Sequence, residues 1–214
     1  MDPKIKARLQ SKSGKTLYGY QKDAIDEMMG KFNDKSTNFN LLFQLPTGGG
    51  KTVIFSELAK RFILSTGKKV LILTHRIELL GQTSKMLSEI GVPNKVINAK
   101  VKDLDDGEEH WCYVAMVETL NNRINDEQMV FDDLGLVIVD EAHYNSFRKL
   151  FKHFREQILL GVTATPLSSN IKLPLNDNYN ELIVGESISS LVDQGYLARA
   201  HTYNYDVNLR ALKV

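Results

Sequence analysis

The amino-acid sequence predicts an α/β fold with a mostly parallel sheet flanked by helices. Short apolar runs of strand length alternate along the chain with amphipathic stretches of helical spacing. The runs are apolar at almost every position, so both faces of these strands should be buried, as in a parallel sheet with helices on each side. A chain of 214 residues with 43% apolar content has enough core-forming residues for one large domain.

The apolar runs predict five strands, and two helices are predicted between them over residues 51–65 and 76–90. In the second helix the residues Leu79, Leu80, Thr83, Met86, Leu87 and Ile90 recur at helical spacing. The strand sequences are NLLFQL, KVLILT, WCYVAM, LGLVIVD and ILLGVTA, at residues 40–45, 69–74, 111–116, 134–140 and 158–164.

Other segments interrupt this alternation. Residues 100–110 are acidic and contain a glycine, so we expect an exposed loop. LFKHFREQ, residues 150–157, predicts a helix with an apolar stripe on one side and basic residues on the other, a face that is either solvated or in contact with nucleic acid. Beyond residue 170 we expect an irregular stretch, a helix over residues 187–197 and a strand over residues 199–207. The stripe is Phe147, Leu150, Phe151 and Phe154, and the basic residues are Arg148, Lys149, Lys152 and Arg155.

Composition excludes several classes of function. With 27 basic and 26 acidic residues, the chain has no general positive field, so any site for a polyanion must be local. The single cysteine, Cys112, excludes an intrachain disulfide and a cysteine-cluster metal site. No run approaches the ~20 apolar residues that span a bilayer. We therefore expect a soluble, cytoplasmic protein without a membrane partner.

A glycine-rich segment, QLPTGGGKT, lies between the first predicted strand and the first predicted helix. A glycine turn exposes backbone N–H groups, and the N-terminus of a helix adds a partial positive charge, so this arrangement favours phosphate binding. We expect Lys51 to reach the β and γ phosphates of ATP, and the Thr52 hydroxyl to bind Mg²⁺. At Leu45 the segment departs from the common pattern G-x-x-x-x-G-K-[ST]. The predicted nucleotide-binding residues of the loop are Thr47, Gly48, Gly49, Gly50, Lys51 and Thr52.

Two carboxylates follow the fourth predicted strand, at the end where open α/β sheets place their ligands. Asp140 can hold Mg²⁺, directly or through water, and Glu141 can polarise the water that attacks the γ phosphate. An Asp-Glu pair after a strand is often an ordinary surface feature, but beside the phosphate loop it predicts hydrolysis. The predicted catalytic residues are Lys51, Asp140 and Glu141.

These motifs resemble those of the superfamily 2 helicases and translocases, in their first RecA-like motor domain. PTGGGKT resembles motif I, in which position 45 need not be glycine, DEAH at residues 140–143 resembles motif II, and TATP at residues 163–166 resembles motif III. The resemblance implies a RecA-like P-loop NTPase domain over residues 16–205. A basic leader, disordered or loosely packed, would precede it over residues 1–15, and a linker would begin at residues 206–214.

The resemblance extends to residues that would recognise adenine and nucleic acid. LYGYQKDAI resembles the Q motif of the family, in which Gln21 would pair with adenine; the alternative is a glutamine that simply starts an amphipathic helix. LTHRIELLGQ and MVETLNNR resemble motifs Ia and Ib, whose loops hold a sugar-phosphate backbone. From these we expect His75, Arg76 and Thr119 to contact nucleic acid, although a solvated arginine is also common at the start of a helix.

The family also implies a link between the two activities. His143 would connect the hydrolysis site to motif III through the hydroxyl groups of Thr163 and Thr165. The forms of motif Ia and of SISSLVDQGYLA, with His143 rather than Asp closing motif II, are more similar to DNA translocases than to RNA-specific DEAD-box proteins. We therefore expect DNA rather than RNA as the partner.

In the family, ATP is hydrolysed between two RecA-like domains, and the second supplies an arginine finger. This chain matches only the first, so we expect it to bind ATP and Mg²⁺ and to hydrolyse ATP very slowly until a second domain completes the site. Two other hypotheses stay open: a nucleotide-gated clamp that holds nucleic acid without translocation, and a P-loop ATPase outside the helicases.

Overall fold

The computed structural model describes residues 6–7, 9–10, 16–34, 40–101, 104, 109–125 and 131–201. Its seven strands form one sheet in which every described pairing is parallel. The strands are β1 (Asn40–Gln44), β2 (Lys69–Thr74), β3 (Asn94–Ile97), β4 (Cys112–Met116), β5 (Leu134–Asp140), β6 (Ile158–Thr163) and β7 (Glu181–Val184). Their order across the sheet is β3-β4-β2-β5-β6-β1-β7.

Helices cover both faces of this sheet. The described residues also include two short 3₁₀ helices, Asn145–Phe147 and Leu175–Asp177. The α-helices are α1 (Gly19–Asp34), α2 (Lys51–Thr66), α3 (Ile77–Glu89), α4 (Val117–Asn125), α5 (Arg148–Phe151) and α6 (Ile188–Asp193).

The predicted α/β class and all five predicted strands are confirmed. In β5, all seven residues are buried, as expected of a central strand with helices on both faces. Alternate residues of β2 enter different cores: Val70 and Ile72 face the side of α1, α2 and α3, while Leu71 and Leu73 face the side of α4 and α5. The run is apolar at successive positions because its alternate residues enter two different cores.

The structure differs from the prediction at both edges of the sheet. β3 and β7 were not predicted, because their side chains are mostly half-buried or exposed and their sequences, NKVI and ELIV, contain charged or polar residues. β7 pairs with β1 within the stretch that was expected to be irregular. The helix predicted over residues 187–197 is present in shortened form as α6.

The helix predicted around LFKHFREQ is wrong in length, because the α-helix is only the single turn of α5. After Phe151 the chain turns through an i to i+3 hydrogen bond that places Phe154 in the core, and it must then reach the start of β6 within a few residues. Arg148 is also not on a solvated face: it bonds the carbonyl of Leu173 and lies 3.4 Å from Asp177.

Parts of several predictions lie outside the described residues. The strand expected over residues 199–207 and the linker at residues 206–214 both extend beyond residue 201, the last one described. Within the predicted leader, Leu9 is fully buried in the core of the α1–α2 side. None of the described helices has the length and apolar character needed to cross a membrane.

Candidate nucleotide and nucleic-acid site

The residues predicted to bind nucleotide and nucleic acid lie at one edge of the sheet, where the parallel strands end. β1 leads into the phosphate loop, β5 ends at Asp140 and β6 ends at Thr163. β2 is followed by His75 and Arg76, and β4 by the helix that carries Thr119. Because β5 lies between β2 and β6, and β6 is next to β1, the hydrolysis residues lie between the phosphate loop and the predicted nucleic-acid residues.

The phosphate loop joins β1 to α2. Gly48 and Gly50 have φ angles of 86° and 82°, which residues with a side chain rarely adopt. Gly50 is the N-cap of α2, so the loop ends at the positive pole of a long helix, where phosphate binds well. Lys51 begins that helix, and its Nζ lies 3.4 Å from the carbonyl oxygen of Leu45. The ammonium group is therefore held across the loop.

Leu45, at the position where the common pattern has glycine, is fully buried. A Cβ built on Gly49 would lie 2.8 Å from Cγ of Leu45, and one built on Gly185 would lie 3.0 Å from its Cδ1. The leucine thus fills the space that side chains at these two glycines would need. It belongs to the core beneath the loop, and the loop keeps its glycine turn above it.

Gln21 lies beside the phosphate loop and is buried. Its Oε1 accepts a hydrogen bond from the backbone N–H of Tyr18 at 3.0 Å, and its Nε2 is 2.5 Å from the position of a Cβ on Gly50. The hydroxyl of Tyr20 donates to the carbonyl of Gly49 at 2.9 Å. These contacts join the start of α1 to the loop and place the predicted adenine-recognising residue next to it.

Tyr196 and Leu197, in the SISSLVDQGYLA segment, also belong to this region, although sequence analysis assigned no role to either residue. The Tyr196 ring lies 4.5 Å from that of Tyr18 and 5.1 Å from that of Tyr20, measured between ring centroids. Cδ2 of Leu197 lies 3.0 Å from the position of a Cβ on Gly48. Both residues come from the segment after α6, and Tyr196 contacts the tyrosines at the start of α1 while Leu197 approaches the loop itself. Their contacts therefore depend on the tertiary fold rather than on a local pattern.

Asp140 and Glu141 differ in their surroundings. Asp140 is 6% exposed, and burial together with the Glu141 carboxylate raises the pKa of Asp140 to about 6, although Lys51 opposes the shift. Glu141 is half-buried, and its Oε1 lies 3.8 Å from Nζ of Lys51. Its φ of 54° places a non-glycine residue in the left-handed region, an unfavourable conformation that is often found at functional sites.

The three residues predicted to couple the sites are in contact, but Thr165 takes part through its backbone rather than through its hydroxyl as predicted. Nδ1 of His143 lies 3.0 Å from Oγ1 of Thr163 and 3.4 Å from Oε2 of Glu141. The Thr163 hydroxyl donates to the carbonyl of Thr165 and accepts from its backbone N–H. Since the hydroxyl hydrogen is engaged by Thr165, the contact with His143 is best satisfied when Nδ1 of His143 carries a proton.

The predicted nucleic-acid residues lie on the other side of β5. Arg76 is exposed and is the N-cap of α3, and its Nε donates to Nε2 of His75 at 3.2 Å. Burial and the Arg76 charge lower the pKa of His75. Thr119 is half-buried on the first turn of α4. Sequence analysis missed Tyr144, which lies between His75 and His143.

A cavity of about 570 Å³ opens beside the phosphate loop. Its walls come from the loop, from the TATP segment after β6 and from the segment that joins β7 to α6. The lining includes Pro46, Thr47, Ala164, Thr165 and Glu186. The space therefore adjoins the phosphate-binding and motif III segments at once.

The residues at this edge fit a magnesium ion shared with phosphates. Mg²⁺ in nucleotide enzymes is usually held by one or two carboxylates, water and phosphate oxygens. Asp140 supplies a buried carboxylate at the end of β5, and Thr52 supplies a hydroxyl on the first turn of α2. Across the described ranges, no cluster of three or more His, Cys, Asp or Glu could hold a metal without a substrate.

Comparison with known proteins agrees with the resemblance to helicases that the motifs indicate. Residues 14–168 match the family model described as Type III restriction enzyme, res subunit. IRC3 of Saccharomyces cerevisiae, named as a candidate ATP-dependent helicase, is 30% identical over 213 residues, which cover 92% of this chain and 30% of IRC3. The chain thus spans less than a third of this relative.

Two solved structures have the same fold. A nuclease-deletion mutant of the Type ISP restriction-modification enzyme LlaGI, in complex with a DNA substrate mimic, gives a TM-score of 0.66 at 17% identity, over 85% of this chain and 21% of LlaGI. The UvsW helicase of bacteriophage T4 gives 0.62 at 18% identity, over 84% of this chain and 66% of UvsW. The family match, the parallel sheet and the motifs at its edge together show that the chain belongs to the Type III restriction enzyme res subunit family and is a first RecA-like domain of the superfamily 2 helicases.

Proposed function

We propose that this chain is the ATP-binding motor domain of a helicase or translocase that hydrolyses ATP to ADP and phosphate while acting on nucleic acid, more specifically DNA. The observation that carries the proposal is the meeting of motifs I and II: Lys51 of the phosphate loop lies 3.8 Å from Glu141 at the end of β5. A lysine for the phosphates and a carboxylate for the attacking water are the parts that this chemistry requires.

Each residue has a role that its position permits. The loop and Lys51 bind and neutralise the β and γ phosphates. Thr52 and Asp140 would hold Mg²⁺, which neutralises phosphate charge when it is bound. Glu141 accepts a hydrogen bond from water and takes its proton as the oxygen attacks the γ phosphorus, while the bond from that phosphorus to the β–γ bridging oxygen breaks and ADP leaves. Gln21, beside the loop, recognises the adenine base.

Lys51 and His143 both contact the Glu141 carboxylate in this structure. The γ phosphate competes for Lys51, because its charge is larger than that of one carboxylate. Binding of ATP therefore frees Oε1 of Glu141 for water. The contact of His143 with Thr163 then links that carboxylate to the motif III segment.

Nucleic acid is proposed to lie along the ends of β2 and β4, on His75, Arg76 and Thr119. Exposed Arg76 offers charge to phosphate, and these groups position a backbone without reading its sequence. The DNA substrate mimic bound by LlaGI supports DNA as the partner. A second RecA-like domain is proposed to close the nucleotide site.

The test is ATP hydrolysis by the full-length protein with single-stranded DNA, double-stranded DNA and RNA, over a series of salt concentrations. We expect DNA to stimulate hydrolysis, and higher salt to weaken the effect. Glu141→Gln should bind nucleotide like the wild type and lose hydrolysis, whereas Lys51→Ala should lose nucleotide affinity. If no nucleic acid changes the rate of ATP hydrolysis, the protein is instead a P-loop ATPase outside the helicases. If it binds DNA but does not move along a duplex, it is a clamp.

A further inference from the structure

Tyr144, the residue after DEAH, lies between two histidine rings. Its ring centroid is 4.2 Å from that of His143 and 4.1 Å from that of His75, with planes tilted by 36° and 43°. Aromatic rings at these separations are in direct contact. All three side chains are half-buried, so the ring stack, defined as His143, Tyr144 and His75, is partly shielded from water.

Each end of the ring stack touches a different functional segment. At one end, Nδ1 of His143 lies 3.4 Å from Oε2 of Glu141. At the other end, Nε2 of His75 accepts a hydrogen bond from Nε of Arg76 at 3.2 Å. The ring stack therefore forms a continuous set of contacts between the proposed catalytic base and the exposed arginine of the nucleic-acid segment.

The position of Tyr144 is fixed by its backbone more than by its hydroxyl. Its N–H donates to the carbonyl of Glu141 at 3.1 Å, which closes the turn after β5. Within the described part of the chain, its hydroxyl has no hydrogen-bond partner. The ring, rather than the hydroxyl, is thus what Tyr144 contributes to the contact between the two histidines.

We propose that Tyr144 is a positioning residue that couples nucleic-acid binding at Arg76 to the hydrolysis site at Glu141 through the ring stack. The inference rests on the proposed function and adds a route separate from the His143–Thr163 contact. A phosphate that binds Arg76 competes with His75 for its guanidinium. Release of His75 shifts the ring stack and changes the contact of His143 with Glu141. Because coupling is reciprocal, nucleotide binding must change the affinity for nucleic acid by the same factor.

The experiment measures that factor in the full-length protein. The dissociation constant of a fluorescent single-stranded oligodeoxynucleotide is determined with and without Mg²⁺ and adenylyl imidodiphosphate. The variants are Tyr144→Leu, which removes the ring, and Tyr144→Phe, which keeps it. Tyr144→Gln is a second variant without the ring, so that an effect of one particular replacement side chain is recognised. The thermal midpoint of every variant is measured to detect folding defects.

We expect the wild type and Tyr144→Phe to show equal factors, within the usual range of about 5 to 150. In Tyr144→Leu and Tyr144→Gln the factor should fall below about 2, a loss of at least about 2.5-fold from the lower end of that range, while each ligand alone binds with near wild-type affinity. Stimulation of ATP hydrolysis by DNA, measured as the ratio of the stimulated to the basal rate, should fall with it.

Three results with the variants would overturn the inference. Tyr144→Leu could retain the wild-type factor, or Tyr144→Phe could lose it, or the ring-free variants could lose affinity for each ligand alone, which would indicate a structural role. A wild type that binds DNA with no dependence on nucleotide would refute the inference and leave the DNA-binding proposal intact. A wild type that binds no nucleic acid would refute the proposed function itself.

Discussion

At the scale of single residues, Asp140 combines a proposed role in binding Mg²⁺ with an energetic cost. Its carboxyl is buried, and burial raises its pKa to about 6 from an ordinary value of 3.8. The folded protein therefore holds this proton more tightly than the unfolded chain does. Between about pH 4 and pH 6, the free energy of unfolding must fall as pH rises, since the folded state binds more protons in that window.

Asp140→Asn should consequently stabilise the protein without ligands. Asparagine can still accept the backbone N–H of Glu141, which Oδ1 of Asp140 accepts at 3.0 Å, and it carries no charge to desolvate. The gain should be absent below about pH 4, grow up to about pH 6 and then stay constant, at about 1 to 3 kcal/mol. Urea denaturation at pH 4, 5, 6 and 7.5 measures it, with exposed Asp132→Asn as the control.

Equal stability of Asp140→Asn and the wild type at pH 7.5 would contradict this account. The same variant should lose the stabilisation that Mg²⁺ and ATP give to the wild type, because the proposed metal ligand has lost its charge. A gain in stability together with a loss of ligand response would show that Asp140 is retained for binding rather than for folding.

At the scale of elements, the strands that could be predicted from the sequence are those that are buried along most of their length. The five strands that are apolar throughout are the ones buried on both faces, whereas β3 and β7 at the sheet edges carry mixed residues and gave no clear signal. The phosphate loop and the DEAH segment were recognisable because their residues are adjacent in sequence. Tyr144 and Tyr196 were not, because their ring contacts join segments that are distant in sequence.

Helix α2 has a glycine at each end, so the glycine at the phosphate loop can be tested against a matched control. Gly50 caps its start and Gly67 its end, with φ angles of 82° and 68°. A Cβ on Gly67 would meet nothing within 4 Å, while one on Gly50 would lie 2.5 Å from Nε2 of Gln21. The two positions share the backbone conformation and differ in their surroundings.

Gly67→Ala and Gly50→Ala should both lose roughly 1 to 2 kcal/mol of stability, because alanine is unfavourable in the left-handed region. Only Gly50→Ala should also displace Gln21 and disturb the phosphate loop, lowering affinity for ADP at least about tenfold, or about 1.4 kcal/mol. Calorimetric titration and urea denaturation measure the two effects. Equal ADP affinity in the two variants would show that Gln21 and the loop are independent.

At the scale of the whole molecule, one edge of the sheet carries both proposed activities. The order β4-β2-β5-β6-β1 places the residues in a row from Thr119 through His75, Asp140 and Thr163 to the phosphate loop. Neighbouring strands then bring the two sites into contact without a long connecting segment. This row is a property of the topology, since strand order does not follow chain order.

The 214-residue chain alone should bind ATP and turn it over slowly. An arginine finger contributes about 10³ to 10⁵ in rate where it is supplied by another domain or protein, and we propose that a second RecA-like domain supplies it here. Single-turnover hydrolysis by this chain with and without the proposed second domain, each time saturated with ATP and DNA, measures the difference. Comparable rates would mean that the first domain holds all the catalytic groups.

The position of β1 has a consequence for biosynthesis. β1 pairs with β6 and β7, which are among the last described strands in the chain. A ribosome therefore releases the apolar strand and the glycine turn long before their neighbours, and the nascent segment stays without its sheet partners until β6 and β7 emerge. A nascent chain that stops before β6 lacks the strands that hold this turn in place, so nucleotide binding is not expected before β6 and β7 have emerged and paired with β1.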